Sequence, residues 1–104
     1  MSLPSLGFLT NSEAVWKSRH AYRSARLELW RRRLSSRYAT WERYRKTLPE
    51  GTSLRAKWWK LYTQADVAVD KWTGLRDEAS YWLRYRRKQL AESRAGLTEH
   101  FDVA

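Results

Sequence analysis

A chain of 104 residues without cysteine is sized for one domain, and it excludes disulfides, thiolate metal sites and cysteine nucleophiles. Twenty-one Lys and Arg against eleven Asp and Glu leave a net charge of +10 at pH 7 and a pI near 10.4. A body so charged attracts polyanions, whether nucleic acid, anionic lipid or an acidic protein face. With 42% hydrophobic residues the chain can fold, and 4 Gly with 2 Pro supply too few turns for an all-β domain.

Residues 1–11 read as a short apolar arm carrying Leu3, Leu6, Phe8 and Leu9, broken by Pro4 and Gly7. It lacks the basic lead of a signal peptide and falls far short of the roughly 20 apolar residues of a membrane span. An intracellular location is expected, including a place in a virion or nucleoprotein particle. A helix over about 12–47 follows, with Asn11 or Ser12 as cap and Glu13 suited to the positive helix end. The only strong breaker is the turn 48–53, Leu48-Pro49-Glu50-Gly51-Thr52-Ser53, where Thr52 or Ser53 can cap the next helix. That second helix spans about 54–95. Gly96 and Leu97 predict a left-handed stop, and residues 96–104 a tail with Phe101 and Val103.

Within the second helix Leu54, Trp58, Leu61, Ala65, Ala68, Trp72, Leu75, Ala79 and Trp82 keep a 4-3-4-3 rhythm, the mark of a coiled-coil seam. The first helix offers a matching row: Trp16, His20, Leu27, Trp30, Leu34, Tyr38, Trp41, Tyr44 and Leu48. A short loop makes consecutive helices antiparallel neighbours. The expected fold is therefore all-α, a long antiparallel two-helix coiled-coil hairpin over 12–95 with short apolar terminal arms, oligomeric or docked on a partner. Folding about Gly51 places Tyr44 by Trp58, Trp41 by Leu61, Trp30 by Trp72, Leu27 by Leu75 and His20 by Trp82. The seam tryptophans read as core, not as a cofactor box or a base-stacking platform.

A lone seam leaves two apolar stripes over. Val15, Tyr22 and Leu29 run along the first helix, Tyr62, Val69, Leu83 and Leu90 along the second, and Trp59 points outward. Aligned stripes of this kind predict self-association or docking on another protein. The charges are also ordered. Arg19, Arg23, Arg26, Arg33 and Arg37 form a ribbon on the first helix, and Arg84, Arg86, Arg87 and Lys88 make the open end basic, interleaved with Tyr22, Tyr81 and Tyr85. Guanidinium groups beside aromatic rings suit phosphate binding, although a charge run also serves simply as a solvated helix face. Asp66, Asp70 and Asp77 read as a face meeting the basic ribbon of a neighbouring copy, since carboxylate metal centres draw Glu and His from several helices.

No Gly-rich phosphate loop, His-Glu-x-x-His or Gly-x-Ser-x-Gly pattern occurs. His20 falls in the seam and His100 in the tail, so neither has catalytic company. No catalysis, cofactor, metal or small-molecule substrate is expected. The function these features support is a structural or adaptor hairpin with a basic surface for a polyanion, as in a nucleoprotein or phage-like assembly. Sequence-nonspecific nucleic-acid binding is the alternative, and attachment to an anionic membrane or cell-wall surface a third reading.

Overall fold

The computed structural model describes residues 3–103, with side chains through residue 96. Its secondary structure is two helices, α1 (Leu6–Thr47) and α2 (Ser53–Val103), paired antiparallel as an all-α hairpin. They build two compact units: one from α1 up to Tyr22 with α2 from Arg76, the other from Arg23–Leu75.

Helix α1 starts at Leu6, one and a half turns before the expected boundary at residue 12, so most of the apolar arm is helix. Ser5 is the reason. Its hydroxyl accepts the Phe8 N–H at 3.2 Å, which satisfies one of the free donors of a helix start, and its carbonyl takes the Leu9 N–H at 3.0 Å as the first helical bond. Leu9 and Glu13 extend the seam rhythm upstream of Trp16, and Leu9 is fully buried. Burial of a leucine, about 1.5–3 kcal/mol, offsets the cost of carrying Gly7 in the first turn.

Pro49 ends α1, and Gly51 turns the chain at φ +85°, the one positive φ among the described residues. Thr52 closes the turn, donating its N–H at 3.4 Å and its hydroxyl at 2.7 Å to the Pro49 carbonyl. Its own carbonyl takes the Ala56 N–H at 3.0 Å, so Thr52 opens α2 while its side chain secures the turn rather than capping the helix. Arg55 reaches back from α2 to the Leu48 carbonyl at 3.0 Å and so satisfies a free acceptor at the end of α1. Gly51→Ala meets no steric neighbour within 4 Å, so its whole effect is conformational. A loss of about 1–2 kcal/mol is expected in urea melts, the cost of a Cβ in the left-handed region.

Helix α2 runs through Gly96 to Val103, so the left-handed stop expected at Gly96 does not form. The seam continues past Trp82 through Arg86, Gln89 and Ser93, and Gln89 and Leu90 are buried, which favours helix beyond the predicted end. The side chains of Leu97, Phe101 and Val103 lie outside the described ones.

In the unit from Arg23–Leu75, Leu27 and Ala65 are buried at 1% and 0% exposure. Beside the turn the register is the expected one: the Tyr44 and Trp58 rings lie 6.4 Å apart. Other contacts fall half a turn to one turn off that count: Trp41 lies on Trp59 (5.0 Å), the Arg26 guanidinium lies over Trp72 (5.4 Å) and Arg23 meets Leu75. Arg23 and Arg37 occupy seam positions and each donates Nη1 to a backbone carbonyl of α2: Leu75 at 2.8 Å and Leu61 at 2.9 Å. Arg37 also donates to Gln64 Oε1 at 2.9 Å. A helix side chain covers the carbonyl four residues before it. Ala65, with only a methyl group, leaves the Leu61 carbonyl open to a second donor. In sequence Ala79 stands to Leu75, and Glu78 to Arg23, as Ala65 and Gln64 stand to Leu61 and Arg37. The bridge thus repeats every two heptads.

In the other unit Leu9, Ala79, Leu83 and Leu90 are the buried apolar residues among the described side chains. Trp82 stacks on Trp16 (6.0 Å, 22°) instead of facing His20, the same one-turn offset. Glu13 accepts from Arg87 at 3.4 Å, and the Arg86 guanidinium lies 5.2 Å from the Phe8 ring. The added first turns of α1 therefore run alongside α2 near residues 86–90.

Candidate polyanion interface

The five arginines of the α1 ribbon do not share one environment. Arg19 and Arg33 are exposed, each at 4.6 Å over the ring three residues before it, Trp16 and Trp30. Arg23, Arg26 and Arg37 are half-buried. Arg23 and Arg37 hold α2 carbonyls, and Arg26 lies over Trp72 with its Nε buried and without a hydrogen-bond partner. Their charge serves the hairpin itself. Their spacing is common to a seam and to its flank, which is why the row read as a ribbon.

Of the four basic residues expected at the open end, Arg84, Arg87 and Lys88 are exposed. Arg84 donates to the Ser80 carbonyl at 3.4 Å, and Arg87 is the partner of Glu13. Arg86 is half-buried, enclosed by the rings of Phe8 (5.2 Å), Tyr85 (5.7 Å) and Trp82 (5.8 Å), and bonded to Gln89 Oε1 at 2.7 Å. Such a cage is a cation–π arrangement that holds rings in place. Of the nine basic residues singled out from the sequence, the exposed ones are thus Arg19, Arg33, Arg84, Arg87 and Lys88.

Glu13 is the acidic partner of one member of this set, Arg87, whereas three other carboxylates are occupied by cations outside it. Arg45 grips Glu42 through Nε–Oε1 at 2.9 Å and Nη2–Oε2 at 3.0 Å, which holds the Glu42 carboxyl below its ordinary range. Glu28 pairs with Arg32 at 3.3 Å and Asp77 with Arg76 at 3.1 Å. Such exposed pairs add little stability. Among the described residues no group of three or more His, Cys, Asp or Glu could hold a metal ion, and no helix is long and apolar enough to cross a membrane.

The apolar stripes fare unequally. Leu83 and Leu90, expected to face a partner, are buried within the chain at 7% and 3% exposure. They follow the seam residues Trp82 and Gln89, and with α1 extended upstream the helix pairing is broad enough to cover them. Tyr62, Val69 and Leu29 are half-buried. Tyr62 packs on Tyr38 (5.4 Å) and on Trp59 (5.8 Å), and Trp59 on Trp41 (5.0 Å). Val15 (45%), Tyr22 (60%) and Trp59 (48%) remain exposed.

What the structure adds is an aromatic cluster in the unit that begins α1 and ends α2. Tyr81 and Tyr85, one turn apart and exposed at 57% and 42%, lie with their rings parallel within 2°. Trp82 stands edge-on to both, at 5.3 and 5.8 Å. On α1 of the same unit, Phe8, Asn11, Ser12, Val15, Trp16 and Arg19 line an open groove of about 330 Å³. The four-residue spacing of Tyr81 and Tyr85 was visible in the sequence, but the parallel setting depends on Trp82 and Arg86. Comparison with family models, with curated proteins and with solved structures found no match for this chain.

Proposed function

We propose that this protein is a non-enzymatic adaptor: a helical hairpin that docks through exposed aromatic residues and holds a polyanion on its exposed cations, as a component of a nucleoprotein assembly. One observation carries the reading. After the fold has taken up Arg23, Arg26, Arg37 and Arg86, the cations Arg19, Arg33, Arg84, Arg87 and Lys88 still face solvent. Val15 and Tyr22 in one unit, and Trp59 in the other, each supply exposed apolar surface for docking, either on a second copy or on another protein. The grooves along the hairpin are open rather than deep, so a binding role suits this surface better than chemistry.

The test is a titration of the whole chain with duplex DNA over a range of salt. With one phosphate engaged by each of these five cations, log affinity against log salt is expected to fall with a slope of about −4 to −5. Changing Arg19 and Arg33 to Gln flattens the slope by about two units, whereas Arg23→Gln leaves it unchanged and lowers the melting temperature. Light scattering then shows a mass above 12.5 kDa when DNA is added. Absence of binding at low salt sinks the proposal.

A further inference from the structure

We infer that the open end of the hairpin is a stacking site for single-stranded nucleic acid, with Tyr81 and Tyr85 receiving bases and Arg84 and Lys88 the phosphates between them. This rests on the polyanion-holding reading above and narrows it to one class of partner.

Four observations meet here. The two rings are parallel within 2°, their centroids 6.4 Å apart, and both are open to solvent, so they offer flat apolar faces of one orientation. They are held by other groups. Trp82 abuts both rings edge-on and is itself stacked on Trp16 of α1, the Arg86 guanidinium lies against the Tyr85 ring, and Gln89 Nε2 reaches the Tyr85 hydroxyl at 3.5 Å. Fixing the rings beforehand removes an ordering cost from binding. Arg84 and Lys88, both exposed, lie three and seven residues after Tyr81 and so share its side of the helix. Finally, between Ser80 and Leu90 the chain carries four cations and no carboxylate; Asp77, one turn before Tyr81, is paired with Arg76, and Glu13 with Arg87, so with Glu78 counted the charge around the rings is still net positive.

Aromatic faces beside a cationic track are what single strands bind, because unpaired bases expose π-faces that a duplex keeps stacked inside. A duplex meets only the cations. A second copy of this chain is a poor occupant, since it carries the same positive field to the contact.

The experiment measures binding of the full chain to three labelled oligonucleotides of equal length at low salt: oligo(dT), the same backbone without bases, and a duplex. Oligo(dT) is expected to bind at least tenfold more tightly than the abasic strand. Tyr81→Ala and Tyr85→Ala each weaken oligo(dT) roughly five- to a hundredfold while leaving the duplex within about twofold. Tyr81→Phe keeps the ring and the affinity. Arg84→Gln and Lys88→Gln weaken all three. Equal binding of oligo(dT) and its abasic counterpart by the unaltered protein overturns the stacking site, whatever the variants do, and leaves the polyanion adaptor standing. Failure to bind any of the three overturns both.

Discussion

Leu27→Ala is expected to lower stability by about 2–5 kcal/mol, the range for removing a buried leucine and leaving a cavity. Leu27 is 1% exposed and lies within a unit whose other seam positions are mostly half-buried aromatic or charged groups. A two-helix body has few such sites, so each supplies a large share of a total that is itself only about 5–15 kcal/mol in ordinary domains. Trp72→Ala should cost less than full burial of the ring predicts, because Trp72 is half-buried beneath Arg26. Tyr22→Ala, at a 60% exposed position, should change stability by about 0.5 kcal/mol or less. Urea unfolding followed by circular dichroism gives all three. Equal losses for Leu27→Ala and Tyr22→Ala would show that the core lies elsewhere.

The second large effect is expected at Ala65. Ala65→Leu introduces three carbons at a fully buried position and covers the Leu61 carbonyl that Arg37 holds. Overpacking costs about 1–3 kcal/mol, and a hydrogen bond from a charged donor contributes about 1.5–3 kcal/mol more. Arg37→Met alone should cost about 1–3 kcal/mol, since the Leu61 carbonyl keeps a helical acceptor role after the guanidinium has gone. The two changes are not additive. With Met at 37 there is no bridge left to block, so Ala65→Leu should cost less there than in the unaltered chain. A double-mutant cycle should give a coupling within the usual 0.5–3 kcal/mol for contacting residues. Zero coupling would mean that Ala65 has no part in the Arg37 bridge.

The seam of α2 from Leu54 to Trp82 was legible because its apolar residues keep strict spacing, and the turn because Pro49 and Gly51 admit little else. Near the turn the short connection also fixed the pairing, so Tyr44 and Trp58 lie where counting from Gly51 puts them. The rest failed for physical reasons. Arginine at positions 23 and 37 breaks the apolar rhythm of α1, whose hydrophobic asymmetry nearly vanishes, and an arginine that reaches a backbone carbonyl has no signature in composition. The Ser5 cap was hidden by Gly7 and Phe8, which read as irregular chain. Leu83 and Leu90 read as surplus because a strict two-position stripe ignores the neighbouring residue that a close helix pair also covers. At the proposed interface the charges were visible, but which of them the fold takes up was not.

The two-heptad recurrence of the arginine bridges makes the seam ambiguous as a ruler. Sliding α1 by fourteen residues would set Arg37 opposite Leu75, and the new mate would again be a leucine with alanine four residues later. Side-chain fit alone therefore distinguishes poorly between two alignments. The short link between Thr47 and Ser53 makes the choice, since it has no slack for such a slide. Lengthening that link with flexible residues should accordingly yield a mixture of alignments, or pairs of chains that exchange arms, before it yields an unfolded protein.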